Sequence, residues 1–308
     1  MLSLPALQSR RLRELTLDAS AHPRAQPYLS AASGLVCAHG QAYVVADDEH
    51  HLAVFRDRDA PGSLHRIRSG DLPAKSKARK RCKPDLETLL LLPPPWGAGG
   101  ALLALGSGSQ ANRCTGFIVA LDRQGQLSPT VHAFDLKPLY EALMARLGGL
   151  NIEGAMAIGG TLVLLNRGGR DGLPNAAIHV PMDTLHALAA GARTTDGSHP
   201  MQRFDLGMLD GVPLGFTDGA ARPDGSWVFC AAAEHSTDSV ADGLCRGSVV
   251  GQVSARGDQV AIQPLAGCAK VEGIALQPDG PSICMVTDAD DPGQCAQLLQ
   301  ATLPNARA

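Results

Sequence analysis

The sequence predicts an all-β protein, a propeller of five blades forming one domain over residues 1–308, and three observations carry that expectation. An acidic or hydroxyl residue ahead of a short apolar segment recurs five times, and internal repetition of this kind decides the fold before any other signal. Each occurrence continues through a turn rich in Gly, Pro or Asp into a second apolar segment, which reads as strand, hairpin, strand. The recurring positions are Ser33, Glu87, Glu153, Asp218 (or its neighbour Thr217) and Glu272, about 54, 66, 65 and 54 residues apart. Such intervals hold four short strands with their turns, one blade each.

The units follow in order. "RELTLDA" at 13–19 reads as a strand that belongs to no complete unit. "ASGLVCAHGQAYVVADD" from Ala32 opens the first blade. The second has "ETLLLLP", "ALLALGS", "TGFIVALD" and "TVHAFDL". A helical insertion follows at 135–149, "DLKPLYEALMARLGG": Asp135 caps it, Pro138 lies in its first turn, and Gly148 and Gly149 stop it. It reads either as a lid packed over blade edges or as a mobile gate. The third blade has "EGAMAI", "TLVLLN", "AAIHVPM" and "MQRFDLG", with "DTLHALAAG" as a helix between the last two. The fourth has "DGAARP", "SWVFCAA", "GSVVGQVS" and "QVAIQPL". The last runs from "KVEGIALQPDG" to "AQLLQATL" and is one strand short. Pairing the orphan N-terminal strand into it closes the ring and removes two open sheet edges. Six blades, the alternative, would need a further unit that the chain does not contain.

Composition agrees. The chain has 308 residues, 44% of them hydrophobic, with 34 Gly and 21 Pro, enough for one large β domain rich in turns. Nothing approaches eighteen consecutive apolar residues, and "MLSLPALQSRRLREL" lacks a basic start followed by an apolar core and a cleavage site. The expectation is a cytoplasmic monomer with no membrane partner. A net charge of −3 argues against general nucleic-acid binding. The eight cysteines show no CxxC and no zinc spacing, so they read as small apolar residues.

First strands of propeller blades line the central channel, so the recurring residue returns to one height around the axis. Ser33, Glu87, Glu153, Thr217 or Asp218, and Glu272 then form a ring. Carboxylates converging there raise one another's pKa unless a cation sits among them. Carboxylate and hydroxyl oxygens on a flexible ring suit Ca²⁺ better than Mg²⁺. The competing reading is a wide channel of solvated acids.

Second strands end at the same mouth, which gathers Asp47, Asp48, Ser107, Ser109, Arg113, Asn166, Arg167, Glu234, His235, Asp288 and Asp290, with Lys83 and Lys270 ahead of two first strands. Arg and Lys beside a cation, with "GSGS" offering backbone N–H groups, make a receptor for an anionic small molecule such as a phosphate ester. The basic run "AKSKARKRCKPD" at 74–85 reads as a solvated loop or as a flap gripping polyanions.

The set "VADDEHHLAVF", "GFTDG" and "KVEGIALQ" resembles calcium-activated nucleotidases of the apyrase type, and "IEGAM", "VEGIAL" and "VTDADD" are similar to phytase-like and esterase-like bacterial propellers. The resemblance implies five blades around a Ca²⁺ held by Ser33, Glu87, Glu153 and Glu272, with Thr217 or Asp218 where that family has Ser. It leaves two readings of activity. In one, a metal-dependent phosphoester hydrolase uses Asp47, Asp48 or Asp288 to activate water and Arg113 or Arg167 to stabilise developing charge, while Lys83, Ser107, Ser109, Asn166, Glu234 and Lys270 bind ligand. In the other, a non-catalytic propeller binds a ligand or protein around a structural cation.

Overall fold

The computed structural model describes residues 5–56, 58–169, 172–235, 244–267 and 269–304. Strand β1 (Ser9–Glu14) precedes five antiparallel sheets, the blades of a propeller. Blade one is β2 (Ala32–Ala38), β3 (Gln41–Ala46), β4 (His51–Phe55) and β5 (Ser63–Arg66). Helix α1 (Ser76–Cys82) leads into blade two: β6 (Leu86–Leu92), β7 (Ala101–Gly106), β8 (Thr115–Leu121) and β9 (Leu127–Asp135). Helix α2 (Lys137–Leu147) leads into blade three: β10 (Ile152–Ile158), β11 (Thr161–Asn166), β12 (Asn175–Pro181) and, after helix α3 (Met182–Ala189), β13 (Met201–Phe204). Blade four is β14 (Met208–Leu209), β15 (Val212–Ala221), β16 (Trp227–His235), β17 (Leu244–Val253) and β18 (Gln259–Pro264). Blade five is β19 (Val271–Leu276), β20 (Ser282–Thr287) and β21 (Gln297–Thr302), completed by β1 in the order β1-β21-β20-β19.

The N-terminal strand therefore closes the ring, but over 9–14 rather than 13–19. Leu15 and Leu17 alternate like strand residues because they point into apolar space: both are buried in the cluster between blades five and one. Each neighbouring pair of blades shares such a cluster. Leu103 and Leu164 join blades two and three, and Phe216 and Phe229 pack on Leu165 between blades three and four. These interlayers hold the blades together by burial of side chains that alternate along each strand.

One irregularity recurs in every blade. The register between the first and second long strands (β15 and β16 in blade four) slips by one residue, and the extra residue is Ser33, Glu87, Glu153, Thr217 and Glu272 in turn. A bulge of this kind re-aims one side chain without ending the strand. It answers why Glu-Gly recurs. A Cβ on the glycine after the bulge would meet the next blade's first strand: Gly34 at 2.6 Å from Leu89 N, Gly154 at 2.6 Å from Asp218 Cα, and Gly273 at 2.8 Å from Ser33 O. Glycine there allows the blades to approach closely around the axis.

Helix α2, Lys137–Leu147, lies inside the expected 135–149, and its N-cap residue is Leu136 rather than Asp135. Asp135 Oδ1 nevertheless accepts from Lys137 N at 2.9 Å, and Gly148 ends the helix in the left-handed conformation. Leu139, Tyr140 and Leu143 are buried, and Tyr140 Oη donates to Gly106 O at 2.9 Å, so the helix is packed against the blades. The "AKSKARKRC" run, read from sequence as a loop or flap, is largely helix α1, anchored by buried Arg79. Its Nε donates to Asp48 Oδ2 at 2.8 Å and its Nη1 to Ala74 O at 2.8 Å.

Candidate metal and ligand site in the central channel

A repeated backbone pattern builds the channel wall. In four blades the residue after the second strand donates its N–H to the carbonyl two residues ahead of the bulge: Asp47 to Ala31, Ser107 to Asp85, Arg167 to Asn151 and Asp288 to Lys270, at 2.8 to 3.2 Å. Each of these blades thus presents three linked positions. Asp85 and Asn151 occupy two of them, and sequence reasoning missed both; their signal was the place two residues before the bulge. The cavity they enclose measures about 930 Å³.

Of the expected site residues, Ser33, Asp47, Lys83, Glu87, Ser109, Arg113, Glu153, Arg167, Glu234, Lys270, Glu272, Asp288 and Asp290 line this cavity, joined by Asp85 and Asn151. Helix α1 brings Lys77, Lys80 and Arg81 to the outer wall, and Gly148 to Leu150 bring the end of α2.

The structure places five expected residues elsewhere. Thr217 is the bulged residue of blade four, but it is fully buried and its hydroxyl donates to Val271 O at 2.8 Å. Asp218, one position on, joins blades instead of facing the axis: Oδ1 accepts from Gly219 N at 2.7 Å and Oδ2 from Ile274 N at 2.9 Å. Asn166 is wholly buried, its amide donating to Pro174 O at 2.9 Å and its oxygen accepting from Asn151 N at 2.9 Å. Ser107 lies behind the wall, donating to Asp85 Oδ2 at 2.5 Å. Asp48 is held in a side recess by Arg24 and Arg79. The side chain of His235, and Cys268, lie outside the described residues.

Electrostatics divides the wall. On one side Arg167 sits 3.3 Å from Glu153 Oε2, 3.0 Å from Glu234 Oε2 and 3.8 Å from Glu272 Oε1. Lys270 Nζ adds contacts of 3.0 Å to Glu272 and 2.7 Å to Asp290. Part of the positive charge that the sequence assigned to a metal is therefore supplied by the chain itself. On the other side Lys83 bridges Asp47 and Asp85, and Arg113 lies 2.8 Å from Asp85. Asp47, Asp85 and Glu87 offer oxygens that all lie within 4.8 Å of one another. Glu87 makes no hydrogen bond or ion pair among the described residues.

The inner wall carries eight carboxyl groups (Asp47, Asp85, Glu87, Glu153, Glu234, Glu272, Asp288 and Asp290) against four cations, Lys83, Arg113, Arg167 and Lys270. Burial, reinforced by Glu153, Asp85 and Asp47, holds Glu87 well above the usual carboxylate range. Burial also raises Glu153 to about 7 against the pull of Arg167, and Asp47 to about 6 against the pull of Lys83. Asp288 is raised well above its ordinary value, again by burial first. Lys83 and Lys270 remain charged, because their carboxylate neighbours outweigh the burial that opposes ionisation. Glu272 is 4% exposed; neither carboxylate oxygen receives a well-directed hydrogen bond, Oε1 being met by the Lys270 and Arg167 charges and Oε2 by no partner among the described residues. Excess buried carboxylate with unfilled oxygens suits a hard divalent cation.

Among the described residues, no helix is long and apolar enough to cross a membrane. No curated protein matches the chain. Among solved structures, glutaminyl cyclase of Myxococcus xanthus is similar at 14% identity and a TM-score of 0.50, over 98% of this chain and 100% of that one. At that identity the likeness bears on the fold alone. A calcium-binding protein, regucalcin, from Agrobacterium tumefaciens str. C58 is similar at 11% identity and a TM-score of 0.46, over 99% of this chain and 100% of that one. A family model matches residues 28–303, and the chain belongs to that family, the Family of unknown function (DUF6929).

Proposed function

We propose that the central channel binds Ca²⁺ and that the loaded site takes an anionic small molecule, a phosphate ester, for hydrolysis. The observation that carries this reading is the bulge repeated in five blades, which delivers Ser33, Glu87, Glu153 and Glu272 to one axis with an excess of buried carboxylate. Asp85 beside Glu87 extends the donor set. These groups would hold the cation, which would supply Lewis-acid polarisation of a phosphoryl oxygen and offset the charge of the floor. The resemblance of the sequence to apyrase-type nucleotidases points the same way.

The chain's own groups divide the remaining work. Asp47, titrating near 6, is placed to take a proton from water at neutral pH. Lys77 and Arg81 on α1 give the outer wall a positive charge that draws an anionic group to the mouth. Arg167 and Arg113 are engaged by carboxylates and serine, and that engagement favours a second reading, a non-catalytic binding propeller whose cation clamps the blades.

Calorimetric titration with CaCl₂ and MgCl₂, followed by a phosphoester panel with and without Ca²⁺, tests both readings. Ca²⁺ binding above Mg²⁺, weakened at least tenfold in Glu272→Gln, supports the site, and Ca²⁺-dependent turnover supports the hydrolase. Binding without turnover leaves the second reading, and no binding by the wild type overturns both.

A further inference from the structure

A second cleft, of about 290 Å³, opens at the other ends of the inner strands, and Cys37 and Cys284 both line it. Cys37 belongs to β2 of blade one and Cys284 to β20 of blade five. The two thiols are close enough to perturb each other's ionisation, and Gln277 Nε2 donates to Cys284 Sγ at 3.2 Å. Both lie in the apolar seam where the blade completed by β1 meets blade one. Cys37 is partly exposed to the cleft, whereas Cys284 is 4% exposed behind it.

We propose that Cys37 and Cys284 form a peroxide-oxidisable thiol pair whose disulfide ties the first blade to the last. Two thiols that line one cleft and share one apolar cluster, on strands of neighbouring blades, reach the ~2.05 Å of an S–S bond by side-chain rotation and approach across the seam. The neighbouring Cys37 thiol holds Cys284 below its usual range, and the Gln277 amide that donates to Cys284 Sγ favours its thiolate, which makes Cys284 the nucleophile of the pair. Its thiolate attacks one oxygen of hydrogen peroxide and the O–O bond breaks, leaving a sulfenic acid, while the released hydroxide takes a proton to become water. The Cys37 sulfur then attacks the sulfenic sulfur, the S–O bond breaks, and that oxygen leaves as a second water. The two thiols lose two electrons and two protons, and the peroxide gains them. The cleft admits an oxidant of this size from solvent, separately from the central channel.

The experiment exposes the native protein to hydrogen peroxide at neutral pH, alkylates the remaining thiols, and maps an unreduced digest by mass spectrometry. The expected result is a linked peptide pair containing Cys37 and Cys284, lighter by two hydrogens than its reduced parts. A rise in Tm that dithiothreitol reverses should accompany it. In Cys37→Ala, which lacks the resolving thiol, Cys284 should accumulate as a sulfenic acid trapped by dimedone. The proposal is overturned if both cysteines are recovered alkylated, if either is linked to a different cysteine, or if oxidation ends in sulfinic acid without a link. Mapping of the wild-type protein decides the matter even where the variant does not fold.

Discussion

Replacing Glu153 by Gln should make stability depend on pH in a way that reports the buried charge directly. Glu153 is held at about 7 against an ordinary value of 4.5, with burial as the first cause. Between those values the native protein keeps a proton that the unfolded chain has released, so unfolding releases a proton and native stability falls as pH rises. At about 1.36 kcal/mol per pH unit, this one group takes roughly 3 kcal/mol from the wild type across the window, nearly all of it between pH 5 and 7, in addition to what Asp47, Glu87, Asp218, Asp288 and Asp290, also raised by burial, take away. Gln matches the size of the protonated acid and does not titrate. The variant should therefore equal the wild type near pH 5 and exceed it by about 3 kcal/mol at pH 8 when no metal is present. His50, His65, His179 and His199, lowered by burial, tilt both proteins the other way, toward greater stability as pH rises to about 6.5, and cancel in the difference. Glu49, held at about 2, is ionised in both states above pH 5 and adds no slope there. Urea denaturation of both proteins in chelator, at half-unit steps from pH 5 to 8, measures the difference. Millimolar Ca²⁺ at pH 8 should then raise the wild type past the variant, because a cation that binds only the folded state stabilises it. A difference that does not change with pH would refute the buried-carboxylate argument.

Three further outcomes follow from the same structure. Removing residues 1–14 takes away β1, buried Leu7 and Arg13 and the ladder to β21, a loss of about 5 kcal/mol or more and comparable with the whole stability of a domain; size-exclusion chromatography should show aggregation, and an unchanged monomer would count against closure. Gly154→Ala sets a Cβ 2.6 Å from Asp218 Cα and should cost about 1–3 kcal/mol in urea unfolding, whereas Ala at Gly160, with nothing within 4 Å, meets no such clash. Arg167→Met leaves Glu153, Glu234 and Glu272 without their shared partner and should cost about 3–5 kcal/mol at pH 8; the loss should shrink toward pH 5 as Glu153 takes up its proton, and a loss that grows at low pH would oppose this account.

The blade count was legible because the blades write similar residues where the same constraint acts. Glycine follows the bulge in three of the five blades, where the next strand presses close, and a carboxylate or hydroxyl stands at every bulge, which in four blades turns it into the channel. What sequence could not separate was Thr217 from Asp218, since both precede an apolar run; only the register slip distinguishes the bulged residue from its neighbour. Asp85 escaped notice because its importance comes from the backbone bond between its carbonyl and Ser107, which joins residues 22 apart. Helix α1 escaped for a different reason. Its stability comes from Arg79 reaching Asp48 in blade one, a tertiary contact invisible in a run of like charges. The charge pattern also misled in one respect: Arg167 and Lys270 were expected to meet a ligand, but each is tied to several carboxylates of the wall itself.

The pairing of β1 with β21 also governs when the channel comes into existence during synthesis. Four blades can condense in succession as their strands leave the ribosome, each needing only near neighbours in the chain. The fifth waits until residue 301 can meet residue 9, the most distant strand pairing among the described residues. Before that moment, Glu272 has no fixed place opposite Glu87 and Glu153, and the seam between blades five and one stays open to solvent. Unfinished or truncated chains consequently present an unsealed sheet edge and an open apolar seam, the kind of surface that makes partly folded chains prone to aggregate. On the proposed reading, capture of the cation would mark the end of folding, since its ligands come from four blades that meet only in the completed ring.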